Sequence, residues 1–158
     1  MRTELQTIPA NEIVTYRKTV RHTDISTPQN TFSLLIVGIP VNYVVCGTSA
    51  RLLTAFAGPS LTSMTASLAA FVPNTILSDL VYYGLNMELT QAVTPTSFQV
   101  SGPPNNNLSL GASQTFAPAT GLYFNGAHDV AAYFTSVGTT LDTLTNGVIE
   151  LTVHIKPF

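Results

Sequence analysis

One cysteine, no tryptophan and very little charge distinguish this chain of 158 residues. The lone Cys46 excludes an intramolecular disulfide and any metal site built on paired cysteines within one chain; it reads as a small core residue. The missing tryptophan removes the strongest stacking platform for a sugar ring. Asp, Glu, Lys and Arg make up 9% of the residues, against about 25% in ordinary soluble domains. Thr, Ser, Asn and Gln take their place. A surface of that kind hydrogen-bonds readily but does little to keep copies apart, so it reads as one covered by partners. No apolar run reaches the roughly 20 residues that a bilayer-spanning helix needs, and no charged-then-apolar leader follows Met1. The expectation is a soluble, non-secreted product with no membrane partner.

The few charges are unevenly placed. A net charge of −2 offers no long-range attraction to a polyanion, so no nucleic-acid partner is expected. Arg2, Arg17, Lys18 and Arg21 are four of the six basic side chains, and none lies between Arg51 and Lys156. The basic end is therefore the N-terminal one. Arg17, Lys18 and Arg21 are the candidate partner-binding residues, as a basic strand or arm docking on an acidic surface; the alternative is a solvated first strand.

Reactive groups are scarce. His128 and Asp129 adjoin in "FNGAHDVAAYFTSVG", but neighbours on a strand occupy opposite faces, so they cannot act as a base and its orienting carboxylate. No G-x-S-x-G elbow accompanies them. Asp24, Asp79, Asp129 and Asp142 are scattered, and the three histidines lack the spacing of a zinc pair. "GPPNNN" has neither the glycines nor the strand-to-helix junction of a phosphate cradle. No catalytic residue, metal ligand or cofactor is expected. Tyr82-Tyr83, Tyr123-Phe124 and Asn105 to Asn107 are the groups that could meet a carbohydrate, weighed against core and interface roles for the aromatics.

Patterning indicates strands throughout. Glu12 to Val20 places Val14, Tyr16, Lys18 and Val20 on one face. Thr31 to Ile39 is apolar enough to be buried on both faces, and Pro40, which lacks an amide donor, should end it. "VNYVVCGTSARLLTAF" resumes the sheet, and "AGPS" turns the chain. Met64, Ala66, Leu68 and Ala70 then recur at a period of two, with a helix as the rival assignment. Residues 73–93 read as mixed, either a short helix or strands broken at Gly84. Turn formers dominate residues 94–121, around brief apolar stretches at Phe98 to Val100 and Leu108 to Leu110. Val130, Ala132 and Phe134 alternate next. The final segment is the clearest, with Ile149, Leu151, Val153 and Ile155 facing the core. About eight short strands with Gly and Pro turns indicate an all-β chain, an antiparallel β-sandwich of jelly-roll type. It divides into an N-terminal arm and first strand, residues 1–30, and a jelly-roll-like sandwich, residues 31–158, within a single domain.

Three stretches, "ARLLTAFAGPSLTSMTASL", "AHDVAAYFTSVGTTLDTLTNG" and the closing "VIELTVHIKPF", together resemble small virion structural proteins of tailed bacteriophages. The resemblance covers residues 31–158. It implies a jelly-roll-like virion component, a capsid decoration or cement protein that binds the major capsid protein on the outer shell as a homo-oligomer, with a trimer favoured. That locates the chain on the virion after synthesis in the host cytoplasm. The alternatives are a carbohydrate- or receptor-binding module of a head or tail fibre, and a tail or baseplate adaptor.

Overall fold

The protein is described by a computed structural model, which defines residues 12–71, 82–91, 100–101, 114–115 and 128–157. They form nine strands: β1 (Val14–Arg21), β2 (Thr31–Ile39), β3 (Tyr43–Ala57), β4 (Ser63–Phe71), β5 (Tyr82–Glu88), β6 (Val100–Ser101), β7 (Gln114–Thr115), β8 (His128–Val137) and β9 (Asn146–Pro157). No α-helix occurs among the described residues. One sheet has the order β1-β9-β3 and the other β2-β8-β4-β5, both antiparallel, and β6 and β7 make a short parallel pair.

The pairing is nested. The first long strand lies against the last, β2 against β8, and β4 against β5, while β6 approaches β3. One long antiparallel ribbon has been folded over so that its strands are shared between two facing sheets. That winding makes the sandwich a jelly roll. β1 belongs to it fully, hydrogen-bonded along β9 from Val14 against Ile155 to Arg21 against Val148.

The core fills the space between the sheets. Ile149, Leu151, Val153 and Ile155 of β9 face Met64, Ala66 and Leu68 of β4 and Val130, Ala132 and Phe134 of β8, all nearly or fully buried. Each large aliphatic side chain removed from water contributes about 1.5–3 kcal/mol, so β9 and β4 hold the wall positions that loops and edges depend on. The alternation of Met64, Ala66, Leu68 and Ala70 is that of a strand, and the helix alternative falls.

Turn chemistry sets the corners. β2 ends at Ile39, and Pro40 accepts a hydrogen bond from the Tyr43 amide (3.3 Å) across a turn with Asn42 at φ 64°. At the far end, single-turn 3-10 helices His22–Ile25 and Leu141–Thr143 adjoin and plug the sandwich with the buried Ile25 and Leu141. The amides of Leu141 and Asp142 donate to Gln29 (2.9 Å) and Thr27 (2.9 Å), tying these loops together.

Three sequence expectations change. β2 is not buried on both faces: Thr31, Ser33 and Leu35 are exposed, because β2 is the edge of its sheet and its outward face is uncovered. Cys46 is half-buried rather than a core residue. It sits where the β3–β9 register slips between Val45 and Gly47, and its thiol donates to the His154 carbonyl at 3.4 Å. Burial pushes that thiol above its ordinary value despite a backbone hydrogen bond and nearby Lys156. Finally, β5 runs unbroken through Gly84, although its register with β4 is irregular there. Leu108 to Leu110 lie outside the described residues.

Candidate functional site

The described surface offers two unlike sheet faces and an open depression. Strand alternation builds the first face from the outward positions of β1, β9 and β3. In register, Thr15 lies beside His154 and Gly47, Arg17 beside Thr152 and Ser49, and Thr19 beside Glu150 and Arg51. Arg21 adjoins Val148 at one end, and Lys156 occupies the other. Arg17, Arg21, Arg51 and Lys156 are all exposed. Four of the chain's six Lys and Arg residues thus share one sheet face. Glu150 is the one carboxylate among the described positions of that face. Arg17 Nε lies 3.7 Å from its Oε1, with the arginine side chain 65% and the glutamate 23% exposed.

Sequence reasoning named two members of this group, Arg17 and Arg21, and set Lys18 beside them. Arg17 and Arg21 do share the outward face of β1. Lys18 lies on the opposite face of that strand, half-buried, and its Nζ donates to the Leu35 carbonyl of β2 at 2.8 Å. Both β1 and β2 are sheet edges, so Lys18 laces one side of the sandwich and covers an edge carbonyl that would otherwise be free to pair. Arg51 and Lys156 were missed as partners of Arg17. Their outward alternation is legible; the β1-β9-β3 order that brings them together is not.

The rest of this face is small and polar. Thr15 Oγ1 and His154 Nδ1 share a hydrogen bond of 2.9 Å, and the imidazole lies over Gly47, where an added Cβ would sit 3.5 Å from His154 Cδ2. Apolar side chains mark the two ends. Leu53 is 39% exposed near Arg51, and Ile13 is 60% exposed, in line with Lys156 by extension of the β1–β9 register.

The outward face of β2-β8-β4 is chemically different. Its ladder rows read Thr31–Thr135–Thr65, Ser33–Tyr133–Ser67 and Leu35–Ala131–Ala69, without a charged side chain; the charges come at the margins, with Asp129 beside Gly38 in the next row and Glu88 of β5 beside Thr65. Ser67, Ala69 and Ala131 are buried, so the accessible part is the strip of Thr31, Ser33, Leu35, Thr135 and Val137.

The depression, about 570 Å³, is lined by Pro28, Gln29, Asn30, Thr31, Gly138, Thr139 and Thr140. Much of its wall is internally satisfied: the Ser136 amide donates to Asn30 (2.8 Å), and Ser136 Oγ to Thr139 (2.7 Å). His128 opens β8 opposite Ile39, and Asp129 follows opposite Gly38. No group of three or more potential metal-ligating side chains occurs among the described residues. The side chains of Tyr82 and Tyr83, and residues 105–107, 123 and 124, lie outside the described part of the chain.

No family model, curated protein or solved structure matches the chain.

Proposed function

We propose that this chain is a non-enzymatic virion structural protein of a tailed bacteriophage, a capsid decoration protein that binds the outer shell as a homo-oligomer, with a trimer as the favoured state. The observation that carries the reading is the pairing, on one jelly roll, of a cationic sheet face with a face whose accessible strip, Thr31, Ser33, Leu35, Thr135 and Val137, is uncharged and bears exposed Leu35 and Val137. An assembly part needs two kinds of contact. The neutral strip can meet its own copies without charge repulsion, and the cationic face can meet a different surface. Neither is large, so affinity for a shell would come from several chains acting together through effective concentration. The resemblance of residues 31–158 to small phage virion proteins supports the same reading.

Two measurements test it. Light scattering of the purified chain at micromolar concentration should give a mass near three chains, and a monomer insensitive to salt removes the homo-oligomer. Mass spectrometry of purified particles should find the chain in numbers comparable with major capsid subunits. Absence from particles rejects the proposal, and a copy number fitting one small ring favours a tail or baseplate adaptor.

The hydroxyl- and amide-lined depression between residues 28–31 and 138–140 supports a second reading, a glycan-contacting head or tail module. Saturable binding on a glycan array, abolished by Asn30→Ala with Thr140→Ala, would favour it over decoration.

A further inference from the structure

We infer that the outward face of β1-β9-β3 docks on a carboxylate-bearing surface of another protein, with Arg17, Arg21, Arg51 and Lys156 as its charge-reading residues and Ile13 and Leu53 closing its ends. The chain as a whole is acidic at −2, yet this face holds four cations against one carboxylate. Such segregation creates a local field opposite in sign to the molecule's own. The cations also stand on all three hydrogen-bonded strands, so their spacing is set by the sheet rather than by loops.

The chemistry of the face favours protein over nucleic acid. Its two ends present Ile13 and Leu53, 60% and 39% exposed, which a phosphate backbone would leave wet but a protein surface can bury. Arginine beside apolar side chains is the composition of protein interfaces. No Phe or Tyr stands among the register positions of the face to stack on bases, its one ring, the His154 imidazole, is held by Thr15 over Gly47, and Glu150 at its centre would oppose a continuous phosphate track.

The size of the face sets the strength. From Val148 to Lys156 of β9 the face spans about 27 Å, and three strands make it about 10 Å wide between outer backbones. That falls short of the roughly 800 Å² per partner of a standard interface. One copy should therefore bind weakly and lose affinity with salt, since exposed pairs are screened over about 10 Å at 0.1 M. An oligomer should bind tightly.

The identification of the partner as a phage shell rests on the function proposed above; the docking face does not. The test uses the full-length chain, Arg51→Gln with Lys156→Gln, and Glu150→Gln, each checked for an unchanged melting profile. Each is applied to immobilised poly-glutamate, to a 30-base-pair DNA duplex, and to phage particles produced without the chain. On poly-glutamate and on particles, the double variant should bind about tenfold more weakly, as expected for two lost exposed contacts. Glu150→Gln should bind more tightly, a gain that misfolding cannot mimic. Equal binding of all three proteins overturns the inference, as does a preference for DNA or no binding to either polymer or particle. Retention on poly-glutamate with the expected order but none on particles leaves the docking face standing and rejects the capsid function. Particle binding indifferent to these positions does the reverse.

Discussion

Lys18 of β1 reaches across the open side of the sandwich and donates from Nζ to the carbonyl of Leu35 in β2, at 2.8 Å. The contact joins the edges of two sheets that share no backbone ladder on that side. It gives Lys18 a structural role distinct from that of Arg17, its immediate neighbour. Lys18→Met keeps the aliphatic stem and removes the donor. It should lower stability by about 0.5–1.5 kcal/mol, the scale of one exposed hydrogen bond. Binding to poly-glutamate should be unchanged. Chemical denaturation and the retention assay check the two halves separately; equal loss of retention in Lys18→Met and in the Arg51 and Lys156 variant would refute the division of roles.

Gly147 lies under the ring of Phe56. Its φ is 141°, and an added Cβ would fall 2.2 Å from Phe56 Cδ1, far inside contact distance. Phe56 is itself buried at the end of β3, where its amide donates to Leu89 at 2.8 Å, so the ring has little room to retreat. Gly147→Ala should cost about 3 kcal/mol from overpacking and backbone strain together. Phe56→Leu should recover part of that loss in the double variant although it is destabilising alone. Thermal melts of the two single variants and the double variant test this, and simple additivity would mean that the clash is absorbed elsewhere.

Ser60 occupies the left-handed region at φ 63° in the turn between β3 and β4. A non-glycine residue there carries a penalty of about 1 kcal/mol. Its carbonyl also fixes the neighbouring turn, since a Cβ at Gly138 would lie 2.1 Å from Ser60 O. Ser60→Gly should raise the melting temperature by a few degrees, whereas Gly138→Ala should lower it by more. A loss of stability in Ser60→Gly would mean that the flexibility added to the unfolded chain outweighs the relieved strain.

How much of this could be read from sequence depends on whether information was local. The alternation of Ile149, Leu151, Val153 and Ile155 is local, and every one of those positions is buried as expected. So is the Lys18 position on the inward side of β1, although its role as a lace needs β2 to lie opposite. β2 misled because Leu34, Leu35 and Ile36 are all apolar while only one side of an edge strand is covered; Leu35 is 53% exposed. The slip between Leu35 and Val37 then shifts the alternation by one, which no periodicity reveals. The cationic face is non-local altogether. Arg17, Arg51 and Lys156 come from strands far apart in the chain, and only the nested jelly-roll pairing makes them neighbours.

Glu88, the last residue of β5, ties the start of β4 to the residues that follow β5 and sets a dependence on pH. Burial pushes its carboxyl upward, but hydrogen bonds from the Thr90 hydroxyl, the Thr90 amide (3.1 Å), the Met64 amide (3.3 Å) and the Ser63 hydroxyl (3.0 Å) outweigh that and hold it below the ordinary range. The same corner is tied by the Leu89 amide donating to Met64 at 2.7 Å and the Phe56 amide donating to Leu89. A carboxylate depressed in the folded state stabilises fully above its unfolded value, about 4.3 for glutamate, and loses that contribution as pH falls through the folded value. Glu88→Gln should therefore cost about 1–3 kcal/mol near neutral pH. The gap between parent and variant should narrow steadily below about pH 4. Melts of both proteins from pH 7 to pH 3 would follow the difference. If it stays constant across that range, the carboxylate is not the source of the stability, and the corner is held by its backbone bonds alone.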